Sequence, residues 1–131
     1  MSEQDNVARV VKIYEAFGRG DVDSIVALLA DEVRWFSHIE ANVPWAGDFS
    51  GKAHVPKFFA ALANSVDVTA FTPREFIAQG EIVVSLGEFG CKVRATGKSV
   101  LVRWVFIWKF REGRVYSYEQ FEGPALADAF R

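Results

Sequence analysis

The stretch SVLVRWVFIWKFREGRVYSYEQF, residues 99–121, decides the fold of this chain. In Ser99–Phe110, large apolar side chains alternate with smaller or charged ones, which is the pattern of a β-strand. Glu112-Gly113 interrupts the pattern, and Arg114–Phe121 resumes it. We therefore predict two long antiparallel strands joined as a hairpin by a short turn.

The second strand of this hairpin carries an acid among apolar neighbours. If alternation runs unbroken from Val115, then Ser117, Glu119 and Phe121 share its face. A carboxylate there must be paired, neutralised or used for chemistry. We therefore expect Glu119 at the floor of an apolar pocket as a general acid or base. The alternative is that Glu119 pairs with Arg103 or another cation, or bonds a tyrosine, only to satisfy the core.

Upstream of the hairpin, helical spacing comes first. Apolar residues recur at that spacing at Val7, Val10, Val11, Tyr14 and Phe17. Asp5 or Asn6 is expected to cap this first helix, and Gly18-Arg19-Gly20 ends it. A second helix follows the cap Asp21, with Ile25, Leu28 and Leu29 on its buried side.

A strand, a loop and a third helix come next. Val33–His38 has strand character, and Ile39–Gly51 holds a proline and two glycines typical of a loop or a short irregular strand. The third helix presents a stripe formed by Val55, Phe58, Phe59 and Leu62.

The rest of the chain is predicted to be sheet. The expected strands are Val68–Thr72, Ile82–Phe89, Cys91–Ala95, Ser99–Phe110 and Arg114–Phe121. Gly87 and Gly90 can mark a bulge or bend, and residues 125–131 form a short tail. Helices followed by an antiparallel meander predict one α+β domain that spans residues 1–131.

Composition excludes several classes of protein. Among 131 residues, 50% are hydrophobic and 15% aromatic, so a large core is expected. A net charge of −2 gives no reason to expect nucleic acid or an anionic membrane as a partner. Cys91 is the only cysteine, the first residues are polar, and the apolar run Val100–Trp108 is too short to span a bilayer. A soluble, cytoplasmic domain is expected.

The strand Ser99–Phe110 also predicts a partner. Trp104, Phe106 and Trp108 share one face, yet Val105 and Ile107 make the opposite face apolar too. Such a strand is usually covered on both sides. Since three helices cover only one face of a small sheet, we expect the second cover to be another subunit, in a homodimer formed through the sheet.

The order of elements resembles SnoaL-like proteins of the nuclear-transport-factor-2-like superfamily, which includes ketosteroid isomerase and polyketide cyclases. The resemblance is carried by residues 13–23, by Leu28-Leu29-Ala30-Asp31-Glu32-Val33, by Ser50-Gly51-Lys52 with Phe58-Phe59, and by Tyr118-Glu119-Gln120-Phe121-Glu122. It implies a cone: a strongly curved mixed or antiparallel sheet wrapped around three helices, with an apolar pocket at the open end. It also implies a dimer through the sheet.

The resemblance carries over residue by residue. Tyr14 falls where the isomerase has its oxyanion-donating tyrosine, but Ser37 and Phe106 stand where that enzyme has its two aspartates. The resemblance to the cyclases implies Glu119 as a stand-in for their acid–base aspartate, whereas their partner histidine has no match on the strand around Phe106. His38 is expected to face away from the pocket if alternation holds from Trp35, and into it if the strand breaks.

Two functions follow from these features. The first is cofactor-free proton transfer, as in an isomerase, cyclase or dehydratase, on a small apolar carbonyl or cyclic molecule. The second is ligand binding without turnover, and a structural dimer with a filled cone is a third possibility. The candidate catalytic residues are Glu119, Tyr14 and His38, and the candidate binding residues are Trp35, Ser37, Trp104, Phe106, Phe59 and Ser117. Scattered histidines and one cysteine predict no metal site.

Overall fold

The computed structural model describes residues 2–131, which form helices packed on one sheet. The helices are α1 (Glu3–Gly18), α2 (Val22–Val26), α3 (Val55–Ser65) and α4 (Ala125–Ala129). The strands are β1 (Leu29–His38), β2 (Gly47–Asp48), β3 (Val66–Gln79), β4 (Ile82–Val93), β5 (Ser99–Arg111) and β6 (Arg114–Glu122). They lie in the order β2-β1-β6-β5-β4-β3.

The sheet is mixed and curls without closing, which confirms the predicted α+β class. β1 and β6 run parallel, and the other neighbouring strands are antiparallel. The hairpin of β5 and β6 therefore lies inside the sheet and receives β1 on its far side. No helix among the described residues is long and apolar enough to cross a membrane.

Several predicted boundaries were wrong. β1 begins at Leu29, so the second helix is shorter than its apolar spacing predicts. Cys91–Ala95 is not a separate strand, because Gly90 pairs within a continuous β4. The two register shifts of the β3–β4 pair do fall opposite Gly90 and Gly87, where a bend was expected. The predicted tail contains α4, a fourth helix that buries Leu126.

The first helix begins one turn earlier than predicted. Ser2, and not Asp5 or Asn6, is its N-cap: the Ser2 hydroxyl accepts from the Asp5 N–H, at 3.0 Å. The Asp5 carboxylate in turn accepts from the Ser2 N–H, at 3.3 Å. This reciprocal pair satisfies two helix-terminal donors, and removing such a cap costs about 1 kcal/mol. Asp21 caps α2 as predicted.

The two faces of the sheet differ in what covers them. The inner face, which packs on α1 and α3, carries the buried residues Trp104, Phe106, Trp108 and Phe110 of β5. The outer face carries Val105 and Ile107 of the same strand, which are only half-buried. The core therefore lies between the inner face and the helices.

A β-bulge in β6 reverses the predicted facing of its second half. Phe110 pairs with Val115 and Lys109 pairs with Ser117, so Tyr116 is an extra residue without a partner in β5. One inserted residue moves every later side chain to the opposite face. Tyr118, Gln120 and Glu122 consequently face inward, whereas Glu119 faces outward. The prediction that Glu119 lies at the pocket floor was therefore wrong.

Candidate functional site

A pocket opens on the inner face between the sheet and the helices. The cavity itself is small, about 50 Å³, and lies within about 480 Å³ of protein-free space that extends into open solvent. We call it the inner pocket. Its walls are Ile13, Tyr14, Phe17, Ile25, Trp35, Phe58, Phe59, Leu62, Phe71, Phe89, Phe106, Trp108, Tyr118, Gln120 and Glu122. The interior is narrow, since aromatic rings face it from most sides, and few polar groups reach it.

Predicted binding residues form part of these walls. Trp35 is buried and packs edge-on against Phe59, with ring centroids 5.8 Å apart. Phe106 lies on β5, two strands away from Trp35 on β1, and lines the pocket as well. These rings hold one another in place, because each packs against at least one further ring of the wall. The walls are thus suited to a flat apolar molecule.

Three side chains of β6 form a hydrogen-bonded chain along the pocket. The Tyr118 hydroxyl donates to Gln120 Oε1, at 2.5 Å. The Gln120 amide donates from Nε2 to Glu122 Oε1, at 2.7 Å. The three residues alternate along one strand, so they project from the same face. The chain ends at a carboxyl group whose other oxygen, Oε2, is buried without a hydrogen-bond partner.

Burial changes the acidity of this carboxyl group. Desolvation raises the pKa of Glu122 from 4.5 to about 7, and the Trp45 indole opposes the rise. The indole N–H nevertheless forms no hydrogen bond of acceptable geometry, and both Trp45 Nε1 and Glu122 Oε2 stay unpaired. Glu122 as a residue is half-buried, but its Oε2 is shielded from solvent. A carboxyl group with such a pKa can gain or lose a proton near neutral pH.

Tyr14 lines the same pocket and carries a hydroxyl group. α1 places its ring against Phe71, with centroids 5.2 Å apart, and leaves the residue 8% exposed. The Trp108 indole donates to the Tyr14 oxygen, at 3.0 Å. Burial raises the pKa of Tyr14 well above its ordinary value, an effect that Ser85 and Trp108 partly offset. The hydroxyl therefore keeps its proton and can donate it in a hydrogen bond.

Glu119 and His38 lie together on the outer face, away from the inner pocket. His38 Nε2 and Glu119 Oε2 are 2.7 Å apart, and Arg34 Nη2 lies 4.0 Å from the same oxygen. The His38 ring also stacks on Phe121, with centroids 4.5 Å apart. His38 thus faces away from the pocket, as unbroken alternation from Trp35 predicts. Glu119 therefore lies beside basic side chains, as the alternative prediction has it. The neighbours are His38 and Arg34, and not Arg103.

The remaining predicted residues lie near the pocket without lining it. Trp104 stacks on Phe106 at 3.9 Å, behind the wall. Ser37 and Ser117 are buried at 1% and 6% exposure, and the Ser37 hydroxyl has no hydrogen-bond partner. Within residues 2–131, no three His, Cys, Asp or Glu side chains are grouped so that they could hold a metal ion.

Sequence reasoning missed the polar residues of the pocket, Tyr118, Gln120 and Glu122. The cause is the bulge at Tyr116, which no glycine marks. One signal was available in the sequence. If β6 is paired with β5 so that aromatic residues lie opposite each other, Tyr118 and not Glu119 lies opposite Trp108. Trp45, from the loop after β1, lies beside Glu122 without lining the pocket.

Comparisons with known proteins agree with this architecture. The family model described as SnoaL-like domain matches residues 10–118. No curated protein matches the sequence.

Solved structures of similar proteins cover the whole chain. An NTF2-like protein from Burkholderia xenovorans LB400 is 32% identical, with a TM-score of 0.89, over 100% of this chain and 99% of that one. An NTF2-like protein of unknown function from Burkholderia pseudomallei K96243 is 29% identical, with a TM-score of 0.82, over 96% and 95%. A third, from Burkholderia thailandensis E264, is 25% identical, with a TM-score of 0.88, over 100% and 99%.

Proposed function

The chain belongs to the SnoaL-like domain family, and we propose that it is a cofactor-free enzyme that moves a proton on a small apolar carbonyl compound. The observation that carries this proposal is the carboxyl group of Glu122, whose pKa burial raises to about 7 inside an aromatic pocket. Buried titratable groups of this kind are common in sites of acid–base chemistry.

The pocket supplies two groups for such a reaction. Ionised Glu122 accepts a proton from the carbon next to the substrate carbonyl, and the bond electrons move onto the carbonyl oxygen. The Tyr14 hydroxyl donates a hydrogen bond to that developing oxyanion. Glu122 then returns the proton to the same carbon or to another one, and return to another carbon completes an isomerisation. The scheme needs no redox partner.

The walls indicate the class of substrate. Trp35, Phe59 and Phe106 offer ring faces and edges. Among the residues that the structure describes, no Lys, Arg or His lines the pocket to pair with an anionic ligand. A neutral, flat, cyclic ketone therefore suits the site best. An anionic substrate would lose its hydration without gaining a cationic partner.

The proposal can be tested with 2-tetralone, a flat apolar bicyclic ketone with acidic protons beside its carbonyl. Wild-type protein in D2O is expected to speed deuterium incorporation at those carbons above the buffer rate, as followed by proton NMR. The rate should rise with pH through about 7, because the base must be ionised. Glu122→Gln should return the rate to that of buffer. A wild-type rate equal to that of buffer would contradict the proposal.

A binding protein without turnover is the second candidate, and one observation favours it. Ser37 and Phe106 stand where the resemblance to the isomerases predicts carboxylates, so this chain lacks part of their chemistry. If the protein only binds, added 2-tetralone should quench its tryptophan fluorescence. Glu122→Gln should leave the affinity measured in this way unchanged. Binding of this kind without excess deuterium exchange would favour the second candidate over the first.

We also propose that the chain forms a homodimer through its outer face. Val105, Leu86 and Val84 lie there half-buried, flanked by charges of both signs, so the face can pair with a copy of itself. In sedimentation equilibrium, wild type should be a dimer and Val105→Glu a monomer. Val11→Glu is the matched control, because Val11 is 36% exposed on α1. A wild-type monomer at all concentrations would contradict the dimer.

A further inference from the structure

The hydrogen-bonded chain of β6 has a direction, and that direction determines how the Glu122 carboxyl group is presented. Gln120 is 2% exposed and lies between Tyr118 and Glu122, bonded to both. We propose that Gln120, held by Tyr118, is the positioning residue that fixes Glu122 and leaves Oε2 as the oxygen that exchanges the proton with the ligand. This inference rests on the proposed function and deepens it.

Tyr118 determines which way the Gln120 amide points. Tyr118 is 3% exposed, and burial raises its pKa well above the ordinary value. The hydroxyl group therefore keeps its hydrogen. That hydrogen needs an acceptor, and the amide oxygen of Gln120 provides it at 2.5 Å. A flipped amide would leave the buried hydroxyl hydrogen without this acceptor, and leaving a donor unsatisfied is unfavourable.

The amide orientation then acts on Glu122. With its oxygen turned to Tyr118, Gln120 presents an N–H to Glu122 Oε1 at 2.7 Å. A donor on one carboxyl oxygen stabilises the ionised form and makes that oxygen unavailable as a base. Glu122 lines the pocket, and its Oε2 is buried and forms no hydrogen bond, so we assign the proton exchange to Oε2.

Other titratable groups interact with Glu122 or line cavities with it. Their contribution to any titration of Glu122 needs a control. The nearby titratable groups are Tyr118 on β6, Cys91 and Glu88 on β4, Arg103 on β5, His38 on β1, Glu40 in the loop after it, and Arg74 and Glu75 on β3. Burial and the neighbouring Glu122 raise the pKa of Cys91 to about 11, outside the range of interest. Histidine is the residue type that ordinarily titrates near neutrality, so His38→Gln is the background control.

The test is a carbon-13 NMR titration of the Glu122 side-chain carboxyl, assigned with Glu122→Gln. Gln120→Leu keeps a similar volume but removes the donor, and it should raise the Glu122 pKa by about 1 to 2 units, as expected for loss of a charge-assisted hydrogen bond. Tyr118→Phe keeps the ring and frees the amide to flip, so a smaller rise is expected. Gln79→Leu, an exposed amide at the end of β3, should change nothing.

A second readout reports on the bond itself. In wild type, the side-chain NH2 signals of Gln120 should move with the same midpoint as the Glu122 carboxyl, because the amide donates to it. Unchanged Glu122 midpoints in both Gln120→Leu and Tyr118→Phe, or Gln120 signals that ignore the titration, would overturn the inference. A wild-type Glu122 that titrates near its ordinary value of 4.5 would instead contradict the proposed function, while an upward shift in Gln120→Leu would still support the role of Gln120.

Discussion

Glu119 and Glu122 belong to the same strand, yet their surroundings differ in every respect that controls acid–base chemistry. Glu119 faces outward, 2.7 Å from His38 and 4.0 Å from Arg34, and its side chain is 22% exposed. Glu122 lines the inner pocket, where it accepts one hydrogen bond from Gln120 and forms no ion pair that the described residues show. Its Oε2 is buried.

The comparison shows that strand register decides the role of an acid here. An exposed pair such as His38 with Glu119 contributes little to stability, because solvent screens it and both side chains lose freedom. A buried carboxyl without a cation costs free energy when it ionises, and its pKa rises as a result. Four predictions test this contrast, from the largest expected effect to the smallest.

Exchange of 2-tetralone protons should separate the two carboxyl groups most strongly. Glu122→Gln is expected to lose about 100- to 10,000-fold of the enzymatic rate, the usual contribution of a general base. Glu119→Gln, the same change on the outer face, should stay within about 2-fold of wild type, since an outward side chain does not reach the reacting atoms. Equal losses in the two variants would erase the distinction between the faces.

The same contrast applies to two tyrosines. Tyr14→Phe should lower the exchange rate by about 100- to 1,000-fold, as expected when one oxyanion donor is removed. Tyr116→Phe is the matched control, because Tyr116 is the bulge residue and packs on the Arg111 guanidinium at 4.3 Å, outside the inner pocket. A Tyr14→Phe variant as fast as Tyr116→Phe would remove Tyr14 from the mechanism.

Stability should depend on pH through Glu122. Its pKa is about 7 in the folded chain and 4.5 for a solvated glutamate, so the folded state binds more protons between these values. The free energy of unfolding therefore falls as pH rises through this window, by up to about 3 kcal/mol for this group. Glu122→Gln lacks that titration. The variant should gain on wild type by this amount from about pH 4 to about pH 8 in urea unfolding.

A difference between Glu122→Gln and wild type that stays constant across this pH range would mean that Glu122 ionises as easily in the folded chain as in the unfolded one. Glu119→Gln serves as the control in the same titration.

The smallest effect is expected on the outer face. A double-mutant cycle with His38→Gln and Glu119→Gln should give a coupling of at most about 1 kcal/mol, as for other partly exposed ion pairs. Urea unfolding of wild type, the two single variants and the double variant measures it. A coupling of several kcal/mol would show that the outer pair is a main stabilising element and not a weakly held one.

Much of the fold could be predicted from local patterns. The alternation in β5 identified Trp104 and Phe106 as inward-facing, and the helical stripe of α1 placed Tyr14 in the core. These predictions hold because hydrophobic periodicity reports burial directly. The carboxyl of the pocket could not be identified in this way, since its position depends on an inserted residue at Tyr116 that is set by pairing with β5.

Long-range contacts explain the other misses. β1 pairs in parallel with β6, so its start at Leu29 depends on a strand that lies far along the chain. Trp45 reaches Glu122 from a loop, and α4 is held by contacts such as the Asn42 side-chain amide donating to the Ala127 carbonyl, at 3.0 Å. Neither contact leaves a periodic signal in the sequence.

The most direct test of the account is the pKa of Glu122 in the wild-type protein, measured by carbon-13 NMR of its side-chain carboxyl. A midpoint near 7 is expected, with Glu122→Gln losing that signal and His38→Gln keeping it. A midpoint near 4.5, the ordinary value of a solvated glutamate, would contradict it. The inner face would then hold no acid suited to proton transfer at neutral pH.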